Sequence, residues 1–458
     1  MANRQRKKRR KQLAAQAAGR RSGRPAPDPA RQAMRLIAVA YVVVASLYAT
    51  SIPLGKGPDE SAHIRYVQFL AENHRLPVFD PENPDPDYEF HQPPLYYALS
   101  LPCYLLAGGA GETAQHAIRF FTLLISLALV YLTFGLARVL CPGKPWVAPA
   151  GAGIVAFLPM QLSVATSIGN DALAEVLAAA ALLILAAYLR TAARQRSDAP
   201  ERPVGAGAMV AAGAAIGLAL LTKSVAALLL PVAWLAAALA ARHPDGYRWR
   251  QLLRDAALAT IIVLAIAGWW LVRNRGLYGD LFAQRAFLEA FAGRRPSPQD
   301  FMSEYQVTVP EYVGQVIIWT LASATGVFGP VRGNRFAFFP FWVYFATGAI
   351  ALVGLFGFAR YLSRVKLTHY QQEAWIVCGA FAALLIASFV RFNFSFFQAQ
   401  ARYLFPALPA AAVAFCLGLQ QLVSERRRTP ALAGAVGLLA LLALVGLFTW
   451  ITPQFRLS

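Results

Sequence analysis

Long apolar runs, separated by short polar stretches, set the architecture of this chain. They lie at about 34–54, 119–140, 146–166, 172–190, 205–222, 225–241, 255–272, 337–360, 374–391, 403–422 and 430–450. A helix of roughly 20 apolar residues crosses the hydrocarbon core of a bilayer. The pattern therefore predicts an all-α polytopic membrane protein with about eleven transmembrane helices. Two more apolar stretches, about 95–110 and about 311–328, do not fit as crossings, because counting either would reverse the side of every basic loop after it. They are expected as interfacial or re-entrant helices. In segment 60–74, Ile64, Val67, Leu70 and Ala71 recur at helical spacing with Arg65, Gln68 and Glu72 between them. This predicts a short amphipathic helix lying on the membrane.

Charge orients these elements. The chain is 57% hydrophobic and 14% charged, yet carries a formal net charge of +20. That charge is concentrated in the N-terminal segment and in alternate short loops. Arg138 and Lys144 fall in one such loop, Arg190, Arg194, Arg196 and Arg202 in the next, then Arg242, Arg248, Arg250 and Arg254, then Arg360, Arg364 and Lys366, and last Arg426, Arg427 and Arg428. This is the positive-inside pattern, so a nucleic-acid partner is not expected. Residues 1–33 read as a basic, disordered cytoplasmic tail touching anionic lipid, and residues 34–458 as the transmembrane domain. No signal-peptide cleavage site follows the tail. The sizeable outer loops fall at about 55–118 and 273–336. Cys103, Cys141, Cys378 and Cys416 are scattered, with no CxxC pair to suggest a zinc site or a disulfide framework.

Chemistry-bearing residues gather on the predicted outer side. The first outer loop holds Gly57-Pro58-Asp59-Glu60-Ser61-Ala62-His63 and, some thirty residues on, Glu89-Phe90-His91-Gln92-Pro93-Pro94. Acids after a Gly-Pro turn also serve as ordinary helix caps and dipole partners. Asp59 and His63, four apart, share a helical face and with Glu60 are candidate ligands for a divalent metal. A capping or hydrogen-bonding pair explains the same spacing. Asp171 follows Asn170 in a short outer turn, where a capping role is again the plain alternative. Lys223 between two apolar runs, Arg273 after Trp269-Trp270, and Arg402-Tyr403 before the tenth run can each act as interfacial anchors. Together they would line one cavity with a carboxylate base and cationic phosphate clamps.

The set resembles the GT-C superfamily of integral-membrane glycosyltransferases, in particular the group of protein O-mannosyltransferases and aminoarabinose transferases. The resemblance rests on Pro58-Asp59-Glu60-Ser61-Ala62-His63 and His91-Gln92-Pro93-Pro94-Leu95-Tyr96-Tyr97. It also rests on Gly169-Asn170-Asp171-Ala172-Leu173, Leu221-Thr222-Lys223, Trp269-Trp270-Leu271-Val272-Arg273-Asn274 and Gln400-Ala401-Arg402-Tyr403-Leu404-Phe405-Pro406. Gln92 stands where aminoarabinose-transferase-like members often have Lys. The resemblance implies a hexosyl- or pentosyltransferase, inverting at the sugar. It would use a polyprenyl-phosphate sugar donor and an envelope glycan, lipid or protein acceptor outside a bacterial plasma membrane. Asp59 is then the expected general base, with Glu60 and Asp171 as further catalytic acids. His63, Glu89, His91, Gln92, Lys223, Arg273, Arg402 and Tyr403 are expected to bind substrate. A transporter or lipid flippase is the alternative, although such proteins tend to show internal repeats, and none is visible here.

Overall fold

The structure is a computed structural model that describes residues 28–198, 205–331 and 335–456. Residues 1–27, most of the expected tail, lie outside the described residues. The first helix, α1, begins at Pro29 and runs to Ser51. Asp28 starts it, its Oδ1 accepting the Ala30 N–H at 3.0 Å, with Pro29 in the first turn where a missing N–H costs nothing.

The chain then forms α2 (Glu60–Asn73), a 3₁₀ turn (Tyr88–His91), α3 (Leu95–Leu106) and α4 (Gly111–Leu140). Next come α5 (Val147–Phe157) and α6 (Pro159–Ala165), bent by 69° at Leu158. Pro159 cannot donate back into α5, so the apolar run breaks there. α7 (Asp171–Asp198), α8 (Gly207–Leu220), a 3₁₀ turn (Ser224–Leu228), α9 (Leu229–Ala240) and α10 (Trp249–Tyr278) follow. The second large loop holds α11 (Gln284–Phe291), α12 (Pro298–Tyr305) and α13 (Val309–Thr325). The chain closes with α14 (Phe341–Arg364), α15 (His369–Asn393), a 3₁₀ turn (Ala401–Ala407), α16 (Leu408–Leu422) and α17 (Arg428–Gly446). Strand structure among the described residues is confined to two two-residue hairpins.

An integral membrane protein is what these helices make. Among the described residues eight are long and apolar enough to cross, and the bent α5–α6 pair makes up to nine. The expected count of eleven is not confirmed. The fifth and sixth expected spans are short, Gly207–Leu220 and Ser224–Ala240, because the chain turns out of helix around Lys223. The apolar stripe of α2 is buried in protein rather than laid on lipid: Tyr66 stacks on Tyr97 of α3 at 3.8 Å, and Ile64, Val67 and Leu70 are buried beside it.

Small residues let the helices close up. α14 and α16 cross where Gly354 and Gly357 meet Gly418; a Cβ on Gly418 would lie 2.0 Å from the Gly354 carbonyl oxygen. α7 is the central helix, with 67% of its apolar stretch buried, whereas α14 buries only 17%. The N-terminus of α7, with Asp171, is therefore presented at the middle of one end of the bundle.

Candidate active site

Five segments meet at that end: the loop into α2, the turn before α3, the α6–α7 turn, the turn after α8 and the turn before α16. Main-chain bonds set their register. The Leu95 N–H donates to the Leu221 carbonyl at 2.9 Å, and Asn170 Nδ2 donates to the Thr222 carbonyl at 2.9 Å and to Gln92 Oε1 at 3.2 Å. Gln92 thus joins two segments.

Asp59 precedes α2 in the left-handed conformation (φ 52°) and makes no side-chain cap. Aspartate tolerates that backbone better than most residues. Its carboxylate points into the site instead. Tyr88 Oη donates to Oδ1 at 3.1 Å, and Arg402 Nη2 donates to Oδ2. Burial alone would raise the Asp59 carboxyl; the Arg402 guanidinium beside it holds it well below the usual carboxylate range.

Glu60, the first residue of α2, turns inward instead. It is fully buried on Arg119 of α4, which donates from Nε to Oε1 at 2.7 Å and from Nη2 to Oε2 at 2.6 Å. Arg119 also donates to the carbonyls of Ala49, Ile52 and Pro53, capping the end of α1. Glu60 accepts from the N–H groups of Gly55, Gly57 and Ile168. The pair is a strut beneath Asp59 that ties it to the α6–α7 turn.

The place expected for Glu60 beside Asp59 and His63 is taken by Glu89. Donor atoms of Asp59, His63 and Glu89 lie within 4.8 Å of one another. His63 Nδ1 is 2.8 Å from Tyr97 Oη and 3.9 Å from Glu89 Oε2, an oxygen that is buried with no hydrogen-bond partner. Burial, then the nearby Asp59, push the Glu89 carboxyl up to about 8; burial takes the His63 imidazole down to about 4. Two carboxylates and a neutral imidazole are a donor set that suits a divalent cation. These three residues are the ones that would hold it.

Asp171 and the two cations form the other half. Lys223 Nζ donates to Asp171 Oδ1, and Arg402 Nη1 donates to Asp171 Oδ2 at 3.0 Å. Arg402 Nε is held by Gln400 Oε1 at 2.7 Å. Both cations lie against the Tyr403 ring, Lys223 at 5.5 Å and Arg402 at 5.0 Å from its centre. A cavity of about 140 Å³ opens here. Asp171, Lys223, Arg402 and Tyr403 line it together with the apolar Val225, Leu385, Phe389 and Phe392.

Two expected site residues make their bonds outside both halves of the site. Arg273 packs on Trp270 at 4.8 Å and donates to the Pro77 carbonyl at 2.6 Å, tying α10 to the loop after α2. His91 bonds the Tyr88 carbonyl through Nδ1 at 2.6 Å and lies 4.6 Å from the Phe287 ring, centre to centre. Arg119, Tyr88 and Glu175 are not singled out by the sequence, and Tyr97 and Gln400 stand in its motifs without a role of their own. Glu175 is buried one turn below Asp171, taking Gln161 Nε2 at 2.6 Å. Arg119 and Glu175 carried a usable signal: each is a lone charge inside or at the edge of an apolar run, where an unpaired charge is costly.

Comparison with known proteins bears on the fold. Residues 109–276 match the family model described as dolichyl-phosphate-mannose-protein mannosyltransferase. No curated protein matches the sequence. The fold is similar to ArnT from Cupriavidus metallidurans bound to undecaprenyl phosphate (TM-score 0.52, 19% identity), covering 92% of this chain and 67% of ArnT. It is also similar to the oligosaccharyltransferase AglB from Archaeoglobus fulgidus, in complex with an inhibitory peptide and a dolichol-phosphate (TM-score 0.52, 15% identity). That match covers 93% of this chain, which spans about half of AglB, 55%. The chain thus has the helical membrane fold of the GT-C glycosyltransferases.

Proposed function

We propose that this protein is a membrane glycosyltransferase that moves a sugar from a polyprenyl-phosphate donor to a hydroxyl of an envelope glycan, lipid or protein. The observation that carries the reading is a cavity lined by both Lys223 and Arg402 and by apolar side chains, with the Asp59 carboxylate bonded to Arg402. A lipid phosphate needs this combination: cations for the head and an apolar surface for the tail. Polyprenyl phosphates bound to ArnT and AglB support it. The basic loops support an N-terminus in the cytoplasm and a site on the outer face.

The chemistry follows from the residues. The acceptor oxygen forms a bond to C1 of the sugar as the bond from C1 to the phosphate oxygen breaks. The acceptor proton passes to Asp59, the general base. Arg402 and Lys223 meet the charge that develops on the leaving phosphate, Arg402 through its planar fork and Lys223 as a point charge. Tyr88 and the Glu60–Arg119 strut hold Asp59 in place. His63, Glu89 and Gln92 line the acceptor side, and Tyr403 backs the cations. A divalent cation on Asp59, His63 and Glu89 would supply Lewis-acid polarisation of a bound oxygen. His91 and Arg273 shape the loops around the site rather than touch the donor.

The test is incubation of the purified protein, reconstituted in sealed lipid vesicles, with radiolabelled polyprenyl-phosphate sugars and envelope extracts. Label transferred to an acceptor supports the reading. Label carried across vesicles without transfer supports a flippase instead.

A further inference from the structure

The two cations offered to the donor are already engaged by Asp171, and the way they are engaged is informative. The Asp171 carboxylate bonds the cations alone: Oδ1 takes Lys223 and Oδ2 takes Arg402. It does not cap α7. The helix is started instead by the Asn170 carbonyl, which accepts the Ala174 N–H at 3.1 Å. Four of the five N–H groups of Arg402 are in use, Nε on Gln400, Nη1 on Asp171 and Nη2 on both Asp59 and Tyr403 Oη, which leaves one on Nη1. No pair of its N–H groups is left for a phosphate. Asp171 lines the cavity together with Lys223 and Arg402, whereas Asp59 does not. A phosphate entering this cavity therefore meets the cations from the Asp171 side.

We propose that Asp171 is an internal competitor of the donor phosphate, whose return to Lys223 and Arg402 drives release of the polyprenyl phosphate product. The inference rests on the transferase reading above. Two oxygens on one carbon, each on a different cation, are how two oxygens on one phosphorus would sit. The carboxylate also occupies the first position of a long helix, where any anion is favoured by the helix dipole.

The reaction creates the need for such a competitor. The donor is a phosphodiester with one negative charge. The product is a phosphomonoester, which carries between one and a half and two charges at neutral pH, roughly, as other phosphomonoesters do. Cations placed to stabilise the leaving group therefore hold the product more tightly than the donor. A free carboxylate in solution could not displace it. A carboxylate tethered in the same cavity acts at an effective concentration on the order of millimolar or higher. Asp171 makes the empty state cheap, so the site can turn over.

The experiment measures the affinity of undecaprenyl phosphate for the full-length protein in phosphatidylcholine nanodiscs, comparing the parent with Asp171→Asn. The variant should bind the product at least about tenfold more tightly, since a charge-assisted competitor has been removed from the same donors. Steady-state transfer should slow, while the first turnover, followed with radiolabelled donor, stays faster than later ones. Inorganic phosphate should tighten in parallel, and anionic phosphatidylglycerol nanodiscs should not mimic the effect. Product affinity that is unchanged or weaker in Asp171→Asn makes Asp171 a positioner of the cations and overturns the inference, with the transferase reading intact. A parent protein that binds neither probe removes the phosphate site itself, and with it both readings. If Asp171→Asn unfolds without ligand, undecaprenyl phosphate should restore it. A variant that stays unfolded with saturating product contradicts the proposal, because the phosphate then cannot replace the carboxylate.

Discussion

Replacing Glu60 by Gln tests how the site is held. Glu60 is 0% exposed and Arg119 is 1% exposed, so neither charge can be solvated by water. The carboxylate accepts two bonds from Arg119 and one each from the N–H groups of Gly55, Gly57 and Ile168, at 2.6 to 3.1 Å. A glutamine has one oxygen. In either amide orientation its NH₂ group faces N–H donors, so at least two of them lose an acceptor. Arg119 keeps its three main-chain carbonyls but loses its counter-charge. Breaking a buried ion pair by removing one partner costs about 3–5 kcal/mol. Glu60→Gln should therefore lower unfolding stability by about that amount. The assay is reversible unfolding in mixed SDS micelles followed by tryptophan fluorescence. Glu60→Gln combined with Arg119→Met balances the charge but leaves the N–H groups of Gly55, Gly57 and Ile168 short of acceptors, so it should not restore stability. A loss below about 1 kcal/mol for Glu60→Gln, the size expected of an exposed pair, would refute the strut.

Other outcomes follow from the same geometry. Arg402→Lys keeps the charge but cannot bridge Asp59, Asp171 and Gln400 at once, so donor use should weaken at least about tenfold; unchanged donor KM and kcat would make Arg402 an anchor only. The Glu89 carboxyl, raised from 4.5 to about 8, binds its proton more tightly folded than unfolded. Its contribution is fully present below about 4.5 and is lost as pH climbs to about 8. Glu89→Gln should flatten that part of the stability profile, measured by thermal unfolding across the window; an unchanged slope would exclude Glu89 as its source.

Much of the fold is legible in the sequence because the bilayer imposes a simple length rule. α1, α4, α7, α10 and α14 to α17 all fall on runs read from hydropathy. The rule fails where polar groups bury against protein rather than lipid. Lys223 looks like an interfacial anchor between two expected spans, yet it pairs with Asp171, and the helices on either side of it, Gly207–Leu220 and Ser224–Ala240, are short. The site is legible in part. Asp59 and His63 four apart do share a face, and Asp171, Lys223, Arg402 and Tyr403 do converge. Which acid joins Asp59 was not readable. Glu60 is adjacent in sequence but turns inward to Arg119, while Glu89 arrives from a separate turn. The cations read as free phosphate clamps, but folding pairs each with a carboxylate, a consequence of tertiary proximity that spacing does not encode.

The central claim is that Asp59 takes the acceptor proton. Asp59→Asn is nearly isosteric and tolerates the left-handed backbone at this position, but it cannot accept a proton at neutral pH. The measurement is the single-turnover rate of transfer from radiolabelled polyprenyl-phosphate sugar, in nanodiscs holding equal amounts of folded parent and variant. The account predicts a rate lower by about 10²–10⁴, the usual contribution of a general base, with donor still bound. Transfer by Asp59→Asn at close to the parent rate would contradict it.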